Sequence, residues 1–97
     1  MKKGYWIVIY RSISDESAVK AYAELAVPAI QSLGGRVLTR RISQVQSHEA
    51  GLQLPAVLVE FDSYELALAA YESEVYRKAL HALGSSAERD FRILEGA

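Results

Sequence analysis

The chain has 97 residues, 51% of them hydrophobic and 24% charged, with six Gly and two Pro. That balance excludes disordered, collagenous and multidomain architectures and describes a single domain over residues 1–97. Eleven Lys and Arg against twelve Asp and Glu leave a formal charge of -1, so no sequence-wide field would gather nucleic acid or an anionic membrane surface. There is no cysteine, which removes disulfides, thiolate nucleophiles and Cys-ligated zinc, and makes a reducing cytoplasm the simplest location.

The longest apolar stretches, Tyr5 to Tyr10 and Leu54 to Val59, fall far short of the roughly 20 residues a membrane-crossing helix needs. The basic start Met1-Lys2-Lys3 is followed by too short an apolar run for a secretory signal.

Gly4-Tyr5-Trp6-Ile7-Val8-Ile9-Tyr10 is aromatic and β-branched and reads as the first strand. Alternation puts Tyr5, Ile7 and Ile9 on one face and Trp6, Val8 and Tyr10 on the other, so both faces need cover. Ser14-Asp15-Glu16 supplies a capping oxygen and acidic first-turn residues, and Val19, Tyr22, Ala23, Ala26, Ala29, Ile30 and Leu33 recur at helical spacing. Helix one is expected from Asp15 to Leu33, kinked or split at Pro28 and stopped by Gly34-Gly35.

Arg36 to Ile42 reads as a second, charged strand suited to a sheet edge, and Ser43 to Gln53 as a polar loop. Pro55 to Phe61 is nearly all apolar and predicts a third, central strand with Pro55 at its start. Asp62-Ser63 with Glu65 starts a second helix, carrying Leu66, Ala69 and Ala70, then Val75, Tyr76, Ala79, Leu80 and Leu83, long or broken near Ser73. Gly84-Ser85-Ser86 ends it, and Arg89 to Glu95 gives the last strand.

The order βαββαβ predicts an α+β, ferredoxin-like fold, a four-stranded antiparallel sheet with two helices on one face. The other sheet face is too apolar for water, so a homodimer joined through it is expected.

The opening Lys3-Gly4-Tyr5-Trp6, the Gly34-Gly35-Arg36 turn, Val59-Glu60-Phe61, Ala70-Tyr71-x-Ser73-x-x-Tyr76 and the closing Leu94-Glu95-Gly96 resemble the domain of unknown function 1330 family, in collinear order over essentially the whole chain. The resemblance implies a ferredoxin-like subunit of a dimeric α/β barrel and brings no established activity. Family members commonly carry an Arg before strand three and another seven residues after the helix-two Tyr. Here those places hold Leu54-Pro55-Ala56 and Leu83, and Val75 stands where Pro is usual. If those arginines hold an anionic ligand, this chain takes a different one or none.

Among candidate site residues, Glu60 ends an apolar strand in phase with Ala56 and Leu58 and needs a partner, which antiparallel pairing would supply as Arg36. It is either a register-fixing ion pair or a general base. His81, between Leu80 and Leu83, is either a helix-surface histidine or an acid-base group. His48 sits in the polar loop, and no metal-binding spacing or cofactor motif accompanies either histidine.

Tyr5, Trp6, Tyr10, Tyr22, Tyr71 and Tyr76 are core and interface aromatics or walls of a flat apolar pocket, with Tyr5, Tyr22 and Tyr71 the expected walls if they converge between sheet and helices. Arg36, Arg40 and Arg41 form a basic cluster that either protects an edge strand or grips an anion.

Two functions fit. One is a noncatalytic homodimer binding a small apolar or anionic metabolite in a cleft between sheet and helices. The alternative is a small cofactor-independent enzyme, monooxygenase- or isomerase-like, using Glu60 or His81 for proton transfer. The Asn, Trp and His set of similar cofactor-free and haem-degrading proteins has no counterpart, since the chain contains no asparagine.

Overall fold

The computed structural model describes residues 1–97. The elements run β1 (Gly4–Ile13), α1 (Glu16–Ser32), β2 (Arg36–Val37), β3 (Ala56–Phe61), α2 (Tyr64–Glu72), α3 (Glu74–Leu83) and β4 (Ala87–Glu95). The four strands form one antiparallel sheet in the order β2-β3-β1-β4, the ferredoxin-like topology expected from the element order.

Period-two alternation sorts the sheet into two faces. Trp6 lies opposite Val59 and Ile93, Val8 opposite Val57 and Phe91, and Tyr10 opposite Arg89. These face the helices, and Trp6, Val59, Phe61 and Tyr76 are almost wholly removed from water. Tyr5 lies opposite Glu60 and Leu94, Ile7 opposite Leu58 and Arg92, and Ile9 opposite Ala56 and Asp90. No helix of the chain covers that second face.

Local chemistry places the helices as expected. The Asp15 side chain accepts from the Ser17 and Ala18 amides at the start of α1, and Ser63 accepts from the Leu66 amide at the start of α2. The expected break comes at Ser73, whose extended backbone (φ -67°, ψ 150°) ends α2 while its hydroxyl accepts from the Tyr76 amide to start α3. Helix α1 runs through Pro28 as a single element. Pro28 and Glu24, whose carbonyl loses its partner, are both on the exposed side, where water can replace the missing bond.

Two close approaches fasten the layers. Trp6 Nε1 donates to the Ala67 carbonyl across 2.9 Å, joining β1 to α2. A Cβ on Gly4 would stand 2.5 Å from the Ser63 carbonyl oxygen, so only glycine lets the start of α2 approach β1 this closely.

The second strand is shorter than its sequence predicts, two residues instead of Arg36 to Ile42. Thr39 is the physical reason. Its hydroxyl accepts from the Leu58 amide at 2.9 Å and donates to the Ala56 carbonyl at 3.3 Å, taking the place of backbone ladder bonds. The chain then leaves the sheet through a turn in which Ser43 N donates to Arg40 O and Ser43 Oγ accepts from Arg40 N.

Candidate functional site

Between the sheet and α1 the side chains leave a cavity of about 280 Å³. Its sheet wall is Trp6, Val8, Val57 and Val59, and its helix wall comes from Val19, Tyr22, Ala23, Ala26, Val27 and Ile30. Ala26 is buried on the sheet-facing side of α1 and Ala23 is exposed at the mouth, and larger side chains at either would fill the space. The turn after β2 brings Thr39, Arg40, Arg41 and Ile42 to the rim. Shortening of β2 therefore has a consequence, because a strand continuing to Ile42 would hold these residues in the sheet.

Tyr10 and Arg89, opposite each other on β1 and β4, close one end. The Arg89 guanidinium carbon lies 5.6 Å from the Tyr10 ring centre, 4.8 Å from that of Tyr22 and 5.4 Å from that of Phe91. Arg89 Nη1 donates to Tyr22 Oη at 3.1 Å, and Tyr22 Oη is 2.6 Å from Tyr76 Oη. Arg89 belongs to none of the ion pairs in the chain. Arg41 is tied to Glu16 at the start of α1 across 2.8 Å and reaches within 5.9 Å of the Tyr10 ring centre.

Burial, reinforced by the Tyr22 oxygen, holds the Tyr76 hydroxyl far above the ordinary tyrosine range. Tyr10 is pushed up by burial and then by Tyr22, against the lowering influence of Arg89 and Arg41. Burial disfavours the Arg89 charge, but the Tyr22 and Tyr76 oxygens outweigh it and the guanidinium is held above its ordinary value. Tyr76 and Tyr10 are neutral at physiological pH beside a permanent cation.

Of the residues expected at the site, Tyr22 lines the cavity. Tyr71 packs instead against Trp6, Tyr76 and Phe91, with ring centres 6.3, 5.7 and 4.9 Å away. The convergence of Tyr5 with Tyr22 and Tyr71 does not occur, because Tyr5 is one residue out of phase with Trp6 and stands on the uncovered face. The expected pairing of Arg36 with Glu60 is present on that same face. Arg36 Nε donates to Glu60 Oε1 at 2.9 Å, Tyr5 Oη donates to Glu60 Oε2 at 3.3 Å, and Arg36 Nη2 donates to Asp62 Oδ1 at 3.0 Å.

The Arg36 hydrogen bond holds the Glu60 carboxyl below the usual carboxylate range, which suits an ion-pair member better than a proton acceptor. His81 is exposed in the last turn of α3, away from the cavity lining. No cluster of three or more His, Asp or Glu is close enough to hold a metal ion.

Sequence reasoning misses Arg89. Its signal was present: Arg89, Phe91 and Ile93 share a phase on β4, so a charge occupies the apolar face.

No curated protein matches the chain. Among solved structures it is similar to a protein of unknown function from Rhodopseudomonas palustris, with 18% identity over 99% of this chain and 83% of that one and a TM-score of 0.72. An ethyl tert-butyl ether D family protein from Bacillus halodurans shares 15% identity, with both chains covered over 100% and a TM-score of 0.62. A Caulobacter crescentus protein provisionally named as an antibiotic biosynthesis monooxygenase shares 10% identity over 99% of this chain and 92% of that one, with a TM-score of 0.58. At these identities the likeness is one of fold. The family model for the domain of unknown function 1330 matches residues 3–97, and the chain belongs to that family.

Proposed function

We propose that this protein binds a small metabolite with an apolar body in the cavity between the sheet and α1. The observation that carries the reading is the cavity itself: about 280 Å³ of space with largely apolar walls beside the core of a 97-residue chain. Packed interiors ordinarily leave few voids larger than a water molecule, and a preformed apolar cleft with a few converging polar groups is the usual form of a small-molecule site.

The proposal includes a homodimer. Tyr5, Ile7, Ile9, Ala56 and Leu58 form an apolar centre on the uncovered sheet face, flanked by the Arg36–Glu60 and Arg92–Asp90 pairs. A second copy laid face to face would remove that centre from water and leave the charges at the seam. Glu60, Arg36 and Tyr5 then belong to the seam, and neither Glu60 nor His81 lines the cavity. Binding without proton transfer by these two residues is therefore favoured over the enzymatic alternative.

The test is native mass spectrometry of protein purified without added ligand, followed by titration with small apolar probes while observing Trp6, the only tryptophan and a cavity-wall residue. A retained mass or a saturable fluorescence response that disappears in Ala26→Phe, where the new ring fills the cavity, is the expected result. No response to any probe, or an unchanged response in A26F, would overturn the reading.

A further inference from the structure

The cavity is not electrically neutral. Its lining holds three arginines, Arg40, Arg41 and Arg89, and no Asp or Glu. Arg41 has Glu16 as its counterion, whereas Arg89 has none within the chain.

Arg89 is also half-buried, which makes its lack of a carboxylate partner unusual, because removing a charge from water without one is costly. Its environment leaves one direction open. The Tyr10, Tyr22 and Phe91 rings pack around the guanidinium carbon within 4.8 to 5.6 Å. Nη1 is bonded to Tyr22 Oη, yet the chain contains no buried side-chain nitrogen or oxygen lacking a hydrogen-bond partner. The guanidinium nitrogens with no partner in the protein must therefore retain access to open space, and Arg89 is a lining residue of the cavity.

A guanidinium crowded by rings but with free N–H groups presents an in-plane fork. This fork matches a carboxylate, whose two oxygens accept parallel hydrogen bonds. The walls beyond it are apolar, which suits a hydrocarbon body better than a heavily hydrated phosphate ester.

Resting on the binding function proposed above, we infer that the ligand is a small monocarboxylic acid with an apolar ring or chain, its carboxylate held by Arg89 and its body against Trp6, Val8 and Ala26. Arg89 is then the specificity-determining residue, and the Tyr22–Tyr76 pair positions it: Tyr22 Oη fixes Nη1, and the 2.6 Å contact with Tyr76 fixes Tyr22. Arg40 and Arg41 add positive potential at the rim.

The experiment compares each of three acids, cinnamate, 4-phenylbutyrate and 2-naphthoate, with its primary amide, a neutral molecule of nearly the same shape. Affinities are read from Trp6 fluorescence and calorimetry on the full-length wild-type protein, Arg89→Gln, Arg89→Lys and Arg40→Gln. The expected result is that at least one acid binds wild type about tenfold or more tighter than its amide, the scale of one charge-assisted hydrogen bond. R89Q should bring that ratio to about one while still binding the amide, R89K should give an intermediate ratio, and R40Q should keep most of the preference.

Arg89 lies against the core, so R89Q can fail to fold. The wild-type protein then decides through its arginine side-chain NMR signals: the Arg89 Nε–H resonance should shift on adding acid and stay in place on adding amide. Equal affinity of acid and amide, a preference surviving in R89Q, or an Arg89 resonance indifferent to the acid overturns the assignment while leaving the cavity as a binding site. Failure of acids and amides alike, in a protein whose Trp6 responds to no other apolar probe, overturns both.

Discussion

Tyr22 and Tyr76 bring their hydroxyl oxygens to 2.6 Å of each other, and the Tyr22 oxygen also accepts from Arg89 Nη1 at 3.1 Å. One atom thus joins α1, α3 and β4 at the edge of the cavity. Removing the Tyr22 hydroxyl strips a partner from two groups, whereas removing that of Tyr76 strips a partner from one. Tyr22→Phe should cost about 2 kcal/mol of stability and Tyr76→Phe about 1 kcal/mol, on the scale of buried polar groups left unsatisfied. Urea denaturation of the two variants checks this, and equal losses would mean that the Arg89 bond contributes nothing.

Two glycine substitutions should fail for different reasons. In Gly4→Ala the new methyl meets the Ser63 carbonyl oxygen at 2.5 Å and the Tyr64 Cα at 2.7 Å, so α2 must move outward, at a cost of about 2 kcal/mol. In Gly34→Ala nothing lies within 4 Å, but the backbone has φ +85°, and the cost is about 1 kcal/mol from conformation alone. Because α2 carries the carbonyl that Trp6 bonds, G4A should shift Trp6 fluorescence and G34A should leave it unchanged.

Stability should fall at both extremes of pH. Tyr76 and Tyr10 titrate above their unfolded value of 10.0, so the native state keeps protons that the unfolded chain releases. Their contribution is fully present below pH 10 and declines as pH rises from there toward the folded values. Glu60, held down chiefly by its hydrogen bond to Arg36, titrates below 4.5, and its contribution is lost as pH falls from that value toward the lower folded one. Denaturation midpoints measured across pH 3 to 11 should show a shallower acid limb in Glu60→Gln and a shallower alkaline limb in Tyr76→Phe.

On the uncovered sheet face, Ile7 stands in the middle of β1 between Leu58 and Arg92. If a second copy covers this face, Ile7→Lys places a charge in the seam without touching the core on the other side. Equilibrium sedimentation should report a dimer for wild type and a monomer of unchanged fold for I7K. A wild-type monomer at micromolar concentration would refute the dimer.

Local chemistry written along the chain was enough for most of the fold. Asp15, Ser63 and Ser73 each carry a side-chain oxygen at the position where a helix must start, and β1 and β3 announce themselves by β-branched and aromatic runs. The Arg36–Glu60 pairing was also legible, because a carboxylate in phase with Ala56 and Leu58 needs a partner and an antiparallel neighbour strand beginning at Arg36 can supply one. The end of β2 was not, since Thr39 reads as an ordinary strand residue until its hydroxyl is seen taking the Leu58 amide.

The candidate site divides along the same line. Residue types and alternation, both local properties, tell which side chains of one strand share a face: Tyr5 with Ile7, Trp6 with Tyr10, and Arg89 with Phe91. They do not tell which of two apolar faces the helices cover, nor that small side chains at Ala23 and Ala26 leave a gap beneath α1. Those depend on how far apart sheet and helix settle when Gly4 admits α2, Trp6 locks onto Ala67 and the Tyr22–Tyr76 pair closes, contacts between residues more than fifty positions apart. Arg89 acquires its role the same way, as an ordinary strand cation in the sequence that packing places among three rings at the end of an apolar cavity.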